Sequence, residues 1–223
     1  MADAGVLPAL AEADEPGRDC PLCPRLVGYR EANRAAFPGW HNAPVAGFGA
    51  RSASLLIVGL APGVRGANRT GRPFTGDFAG VLLYGTLLAV GLAEGAYGAD
   101  PADGLVLRDC RIVNAVRCVP PANLPTPVEA RTCNPFLAAE MAAMKRLRGV
   151  LALGVVAHAA VLRAAGVRPA SAAFRHGAMH DLPGGRVLAD SYHVSRLNTN
   201  TGRLTAAMFA EVVAALLRRA GQE

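Results

Sequence analysis

Four cysteines stand in a pattern that can bind a metal centre. Cys20 and Cys23 form a C-x-x-C pair, and Cys118 and Cys133 supply two further sulfurs. A C-x-x-C element lets two thiolates reach one ion, and four sulfurs satisfy tetrahedral zinc or an iron–sulfur cubane equally well. The spacing does not choose between them, and unrelated buried thiols would present the same letters. Cys110 falls outside the pattern and reads as an ordinary core residue. A second concentration of chemically able side chains lies in three stretches rich in polar residues and glycine: Ala61–Asp77, Arg117–Pro125 and Tyr192–Gly202. These hold an aromatic ring (Phe74), a carboxylate (Asp77), a carboxamide (Asn123) and an imidazole (His193). Each also has a plain structural explanation: a core phenylalanine, a helix cap, a turn asparagine and a buried histidine.

Each of the three stretches follows an apolar run short enough to be a strand. Ser54–Leu60, Arg111–Val116, Val150–Leu153 and Val187–Ser191 are read as four buried strands. Helical runs alternate with them. Phe78–Leu92 follows the first strand. A helix from Pro127 to about Leu147 announces its own start, with Thr126 as cap, proline in the first turn and Glu129 completing a capping box. Val155–Ala165 is stopped by Gly166, and Leu204–Arg219 closes the chain. Strand–helix alternation predicts right-handed crossovers and a mainly parallel, four-stranded sheet covered on both faces. Ligands of such sheets bind beyond the carboxyl ends of the strands, where the three polar stretches should meet.

A length of 223 residues suits one α/β domain, expected over residues 17–223 after a flexible tail of residues 1–16. That tail is Ala-rich and acidic, has no basic leader, and does not read as a secretory signal. A cytoplasmic, monomeric protein is expected, with no membrane segment. Five cysteines, an odd number, argue against a disulfide framework in that setting. Net charge is +6, almost wholly from arginine, since Lys145 is the only lysine. The sign favours a polyanion such as nucleic acid, although arginine bias alone carries little weight.

Three runs decide among these possibilities. Gly59-Leu-Ala-Pro-Gly63 with Gly66-Ala-Asn-Arg-Thr-Gly-Arg-Pro-Phe-Thr-Gly-Asp77 resembles the first motif of the family 5 uracil-DNA glycosylases. Asn114-Ala-Val-Arg-Cys-Val-Pro-Pro-Ala-Asn-Leu-Pro-Thr-Pro127 resembles the middle motif, and Tyr192-His-Val-Ser-Arg-Leu-Asn-Thr-Asn-Thr-Gly-Arg203 the last. The resemblance runs from about Cys20 to Phe209. It implies a three-layer α/β/α sandwich and a 4Fe-4S cluster on Cys20, Cys23, Cys118 and Cys133. It further implies monofunctional hydrolysis of uracil from double-stranded, and also single-stranded, DNA in base excision repair, with nucleoid association during that work. Hypoxanthine and xanthine are expected as additional substrates.

By the same resemblance, Phe74 stacks on the flipped base, with Ala61 and Gly63 completing the binding surface. Asn123 reads the base edge; a carboxamide can accept from uracil N3–H while donating to O4, a polarity that cytosine reverses. Asn114 is the weaker candidate for that role. His193 donates to the O2 of the leaving base, and Asp77 stabilises the sugar cation or orients water. Arg196 and Arg203 are expected on phosphates and Leu197 as a wedge. His41, His158, His176 and His180 are assigned structural roles. One departure from the wider superfamily is that Gly59–Pro62 carries no water-activating side chain, which shifts the catalytic load to Asp77 and His193; a second is Val194, where many relatives have proline. A phosphate-binding enzyme is disfavoured, because neither G-x-x-x-x-G-K-[ST] nor G-x-G-x-x-G occurs in the first loop. The alternative that survives is a non-catalytic iron–sulfur DNA-binding module.

Overall fold

Apolar runs become fully covered strands here. The computed structural model describes residues 15–221. Its elements in chain order are α1 (Pro24–Ala36), β1 (Leu55–Gly59), α2 (Ala67–Thr70), α3 (Phe78–Ala89), β2 (Ala93–Glu94), β3 (Val106–Leu107), β4 (Cys110–Asn114), α4 (Pro127–Ala143), β5 (Gly149–Leu153), α5 (Val155–Ala164), β6 (Met179–Leu182), β7 (Arg186–Ser191), α6 (Arg196–Asn200) and α7 (Ala206–Arg219). Every residue of β1, β4 and β5 is buried, as strands sandwiched between helices require. Side chains alternate across β1. Leu55 and Ile57 join Ile112, Leu151 and Ala189 beneath Leu83 and Leu87 of α3 and Phe209 and Val213 of α7. Leu56 and Val58 join Val113, Val150 and Leu188 beneath Leu137 and Met141 of α4 and Ala157 and Val161 of α5. This is the expected three-layer α/β/α arrangement.

The sheet order is β4-β1-β5-β7-β6, with the first four strands parallel. The expected count of four strands is thus one short among the described residues, because β6 adds an antiparallel edge by pairing with β7. Its sequence, Met-His-Asp-Leu, has too little apolar character to register as a strand, and the hairpin is recorded only in the turn Pro183-Gly184-Gly185. Helix α3 stops at Ala89, short of Leu92, because Gly91 takes a left-handed φ of 75°. α4 ends at Ala143 and not near Leu147, and its capping box is present: Thr126 Oγ1 accepts from Glu129 N, and Thr126 N donates to Glu129 Oε2.

Register carries the fold's message for function. Gly59 pairs with Asn114 and Leu153 with Ser191, so the carboxyl ends of four neighbouring strands finish on one rim. The loops that follow them must therefore meet. Most of the expected tail lies outside the described residues; Glu15, near its end, accepts from Gly47 N at 3.3 Å and pairs with Arg111 at 3.1 Å. No helix among the described residues is long and apolar enough to cross a membrane.

Candidate active site and cysteine pocket

A cavity of about 550 Å³ opens at this rim, and its walls include Ala61, Gly63, Phe74, Asp77, Asn114, Asn123, His193 and Arg196. The three loops therefore converge, bringing the expected ring, carboxylate, carboxamide and imidazole to one space. Arg65, Phe78 and Ser195 also line it; no single residue signal distinguishes them in the sequence, because their place follows from the neighbouring loop residues.

Glycine makes the close approaches possible. A Cβ on Gly59 would fall 2.5 Å from Phe74 Cζ, so the tip of the ring lies against bare backbone. A Cβ on Gly66 would sit 2.3 Å from Asp77 Oδ2, and one on Gly63 3.1 Å from the same oxygen. Phe74 itself has φ 52° and Asn123 φ 56°, a left-handed backbone state that L-residues adopt at a cost of about 1–3 kcal/mol. Such strain persists only where surroundings over-determine it, and here it falls on two residues facing the cavity.

Asp77 does two jobs with two oxygens. Oδ1 accepts from Ala79 N at 3.1 Å and caps α3, while Oδ2 lies against Gly63 and Gly66 at the cavity wall. Burial pushes its carboxyl above the ordinary value, partly offset by hydrogen bonds from the backbone at Gly80 and Ala79. His193 is half-buried, and desolvation pulls its imidazole down to about 4, so the ring is neutral at neutral pH. Its centroid lies 6.2 Å from that of Phe74.

The turn carrying His193 is fixed from both sides. Asn198 Nδ2 donates to His193 O at 2.8 Å, Gly154 passes beside it with a left-handed φ of 97°, and Val194 is wholly buried. His176 Nδ1 accepts from Tyr192 N at 3.2 Å and stacks on the Tyr192 ring at 4.8 Å. His158 and His180 share the buried Asp190 carboxylate at 2.7 and 2.9 Å. These three groups lie close enough to hold an ion, yet the carboxylate is already shared by two imidazoles and Arg175 N. His41 Nε2 faces Pro44 O at 3.2 Å.

Arg196 lies with its guanidinium 5.0 Å over Phe78 at the cavity edge, and Leu197 beside it on α6 is 72% exposed. Arg203 stands outside the cavity wall, its guanidinium 4.5 Å over the Tyr192 ring.

A second pocket gathers Cys20, Cys23, Cys118 and Cys133 with Leu26, Arg30 and Phe136. The cap of α4 fixes Cys133, and Arg25 reaches from α1 to Glu129 at 2.6 Å, binding the C-x-x-C segment to that helix. Burial, then the neighbouring cysteines and Glu129, pushes the Cys23 thiol up to about 12, and burial and the other cysteines do the same to Cys118. Buried thiols whose ionisation is hindered by burial and by neighbouring cysteines, as at Cys23, Cys118 and Cys133, are donors that a cationic centre would relieve. Arg117 N donates to Cys133 Sγ at 3.4 Å, and the buried Arg30 Nε has no hydrogen-bond partner among the described residues. That donor set suits a thiolate-bound centre carrying net negative charge. Cys110 sits apart in the main core.

Comparison with known proteins agrees with this geometry. The model of the uracil DNA glycosylase superfamily matches residues 46–217. The type-5 uracil-DNA glycosylase of Thermus thermophilus is 48% identical over 208 residues, 91% of this chain and 94% of that protein. Those of Mycobacterium leprae and Pyrobaculum aerophilum are 45% and 43% identical, over 86% and 92% of this chain and 88% and 89% of their own lengths. With three motif loops meeting at one strand rim and relatives aligned along nearly the whole chain, the protein belongs to the uracil DNA glycosylase superfamily, in its type-5 branch.

Proposed function

We propose that the protein is a monofunctional DNA glycosylase of base excision repair that hydrolyses the N-glycosidic bond of uracil in double-stranded DNA and also in single strands, and that hypoxanthine and xanthine enter the same cavity. The observation that carries this reading is the meeting of Phe74, Asp77, Asn123 and His193 around one cavity. A base inside a duplex is shielded by stacking, so it must rotate out before its glycosidic bond can be attacked. Phe74 offers the ring face, Ala61 and Gly63 the adjoining wall, and Asn123 the edge reader.

As the C1′–N1 bond lengthens, the electron pair moves into the base and positive charge collects on the sugar. The neutral His193 N–H donates to uracil O2, where the negative charge gathers. Such a donor strengthens with the reaction and is worth about 2.7–4 kcal/mol in related settings. The ionised Oδ2 of Asp77 faces the sugar side, where it stabilises the cation and orients the water that adds at C1′. Arg196 and Arg203 hold phosphates, and Leu197 fills the gap left by the base.

The cysteine pocket is assigned a 4Fe-4S cluster on Cys20, Cys23, Cys118 and Cys133. When bound, the cluster supplies a cross-link between the C-x-x-C segment, the Cys118 loop and α4, and base release does not pass through it. Purified protein is expected to be brown with about four irons per chain; stoichiometric zinc without iron would contradict the assignment. Catalysis is tested by incubating the protein with a duplex oligonucleotide holding one uracil. Release of free base supports the glycosylase reading, and tight binding without release would support a non-catalytic module.

A further inference from the structure

Phe74 stands in a backbone conformation that its own side chain disfavours, and the two carbonyls flanking its Cα are each held by a tyrosine hydroxyl. Tyr84 Oη donates to Pro73 O at 2.6 Å, and Tyr97 Oη donates to Phe74 O at 3.0 Å. The tyrosine rings lie 4.8 Å apart. Gly80 completes the fit: a Cβ there would come within 1.9 Å of Phe74 O and 2.1 Å of Tyr97 Oη, so the carbonyl and hydroxyl meet where any other side chain would stand.

Tyr97 belongs to the loop between β2 and β3, and that loop is bound to the Phe74 loop by charge. Arg72, two residues before Phe74, holds Asp103 through both carboxylate oxygens at 2.8 and 2.7 Å. The same carboxylate accepts from Gly98 N and Leu105 N, closing the loop on which Tyr97 is mounted. Arg72 Nε also reaches Thr75 Oγ1 at 2.7 Å, and its guanidinium lies 5.6 Å over the Tyr84 ring. Both side chains of this ion pair are largely covered, so it holds the loop in register with little screening by solvent.

We propose that Tyr97, together with Tyr84, is a positioning residue for base release: the two hydroxyls lock the Phe74 backbone in its left-handed state and so fix the angle at which the ring meets an extruded base. The proposal rests on the reading of Phe74 as the stacking surface. It makes the β2–β3 loop, which has no side chain on the cavity wall, part of the base-holding machinery.

A double-mutant cycle tests it. Tyr97→Phe keeps the ring and removes the hydroxyl. In full-length protein, with its metal content checked, single-turnover release of uracil from a one-uracil duplex should slow about tenfold, equivalent to about 1.4 kcal/mol of barrier. In a Phe74→Ala background the same change should alter the rate by less than about twofold, because the hydroxyl then has no ring to aim. Asp103→Asn, which loosens the loop by a separate route, should show the same non-additivity. Equal fractional losses in the two backgrounds, or a Tyr97→Phe protein at the parental rate, would overturn the clamp while leaving the stacking role intact. A silent Phe74→Ala would overturn both.

Discussion

The rim cavity and the cysteine pocket are built on opposite principles. Around the cavity, side chains come from loops, two non-glycine residues hold left-handed φ, and Asp77 and His193 have burial without an opposite charge as the main influence on their protonation. The cysteine pocket draws Cys133 from a capped helix, packs it with Leu26, Val116, Ala130 and Phe136, and laces it to α1 through Arg25 and Glu129. The first region adds backbone strain to its desolvated polar groups; the second desolvates its thiols and leaves Arg30 Nε without a hydrogen-bond partner among the described residues, on a regular, capped scaffold. Strained loops can aim groups at a transition state, whereas a capped helix and an ion-paired partner helix hold donors rigidly for a centre to bind.

Mutations should separate the two regions by readout. His193→Ala is expected to lower the single-turnover rate by about 10²–10³-fold while leaving duplex affinity nearly unchanged; parallel loss of affinity would make His193 a scaffold residue. Cys133→Ser should do the reverse, with iron content falling and stability dropping by about 4 kcal/mol or more, as for loss of a structural metal. Chemical denaturation and metal analysis would show this, and a stable, iron-replete variant would erase the contrast. Smaller effects sharpen it. Thr126→Ala removes the α4 cap and should cost about 1 kcal/mol in denaturant unfolding, with little change in the rate per folded molecule.

Acid titration should carry a signature of the cavity through His193. His193 stays neutral in the fold down to about 4, while in the unfolded chain it takes up a proton near 6.5. The unfolded state therefore binds more protons between those values, and stability should decline as pH falls through that window. His193→Gln should flatten the decline measured by thermal unfolding. Under the proposed role of Asp77, the acid limb of the rate profile should follow its carboxyl. Because burial raises its pKa, activity should fade at a pH above that of an ordinary aspartate.

Much of this was legible in the letters, for identifiable reasons. The run Leu-Leu-Ile-Val at 55–58 suits a buried strand of an α/β chain, and Thr126, Pro127 and Glu129 encode a helix start locally. Phe74, Asp77, Asn123 and His193 could be placed on one rim because each follows a strand end. The edge strand at Met179–Leu182 was hidden, since its pairing is decided by β7 and not by its own composition. Tyr84, Tyr97 and Asp103 were equally hidden. Their contacts to Pro73, Phe74 and Arg72 span 11 to 31 positions and depend on tertiary packing that no local period records. Arg203 sits over Tyr192 because an aromatic face within reach competes for a cation that the letters left free.

The division of labour within the Asp77 carboxylate makes the usual conservative replacement misleading. An asparagine at this position must still offer its oxygen to the Ala79 amide to begin α3, which turns its NH₂ toward Gly63 and Gly66 at the cavity wall, the side proposed for the sugar. An acceptor would become a donor beside an incipient cation, so the nearly isosteric variant inverts the local polarity. Serine, which can begin a helix but extends no second oxygen, is the cleaner subtraction.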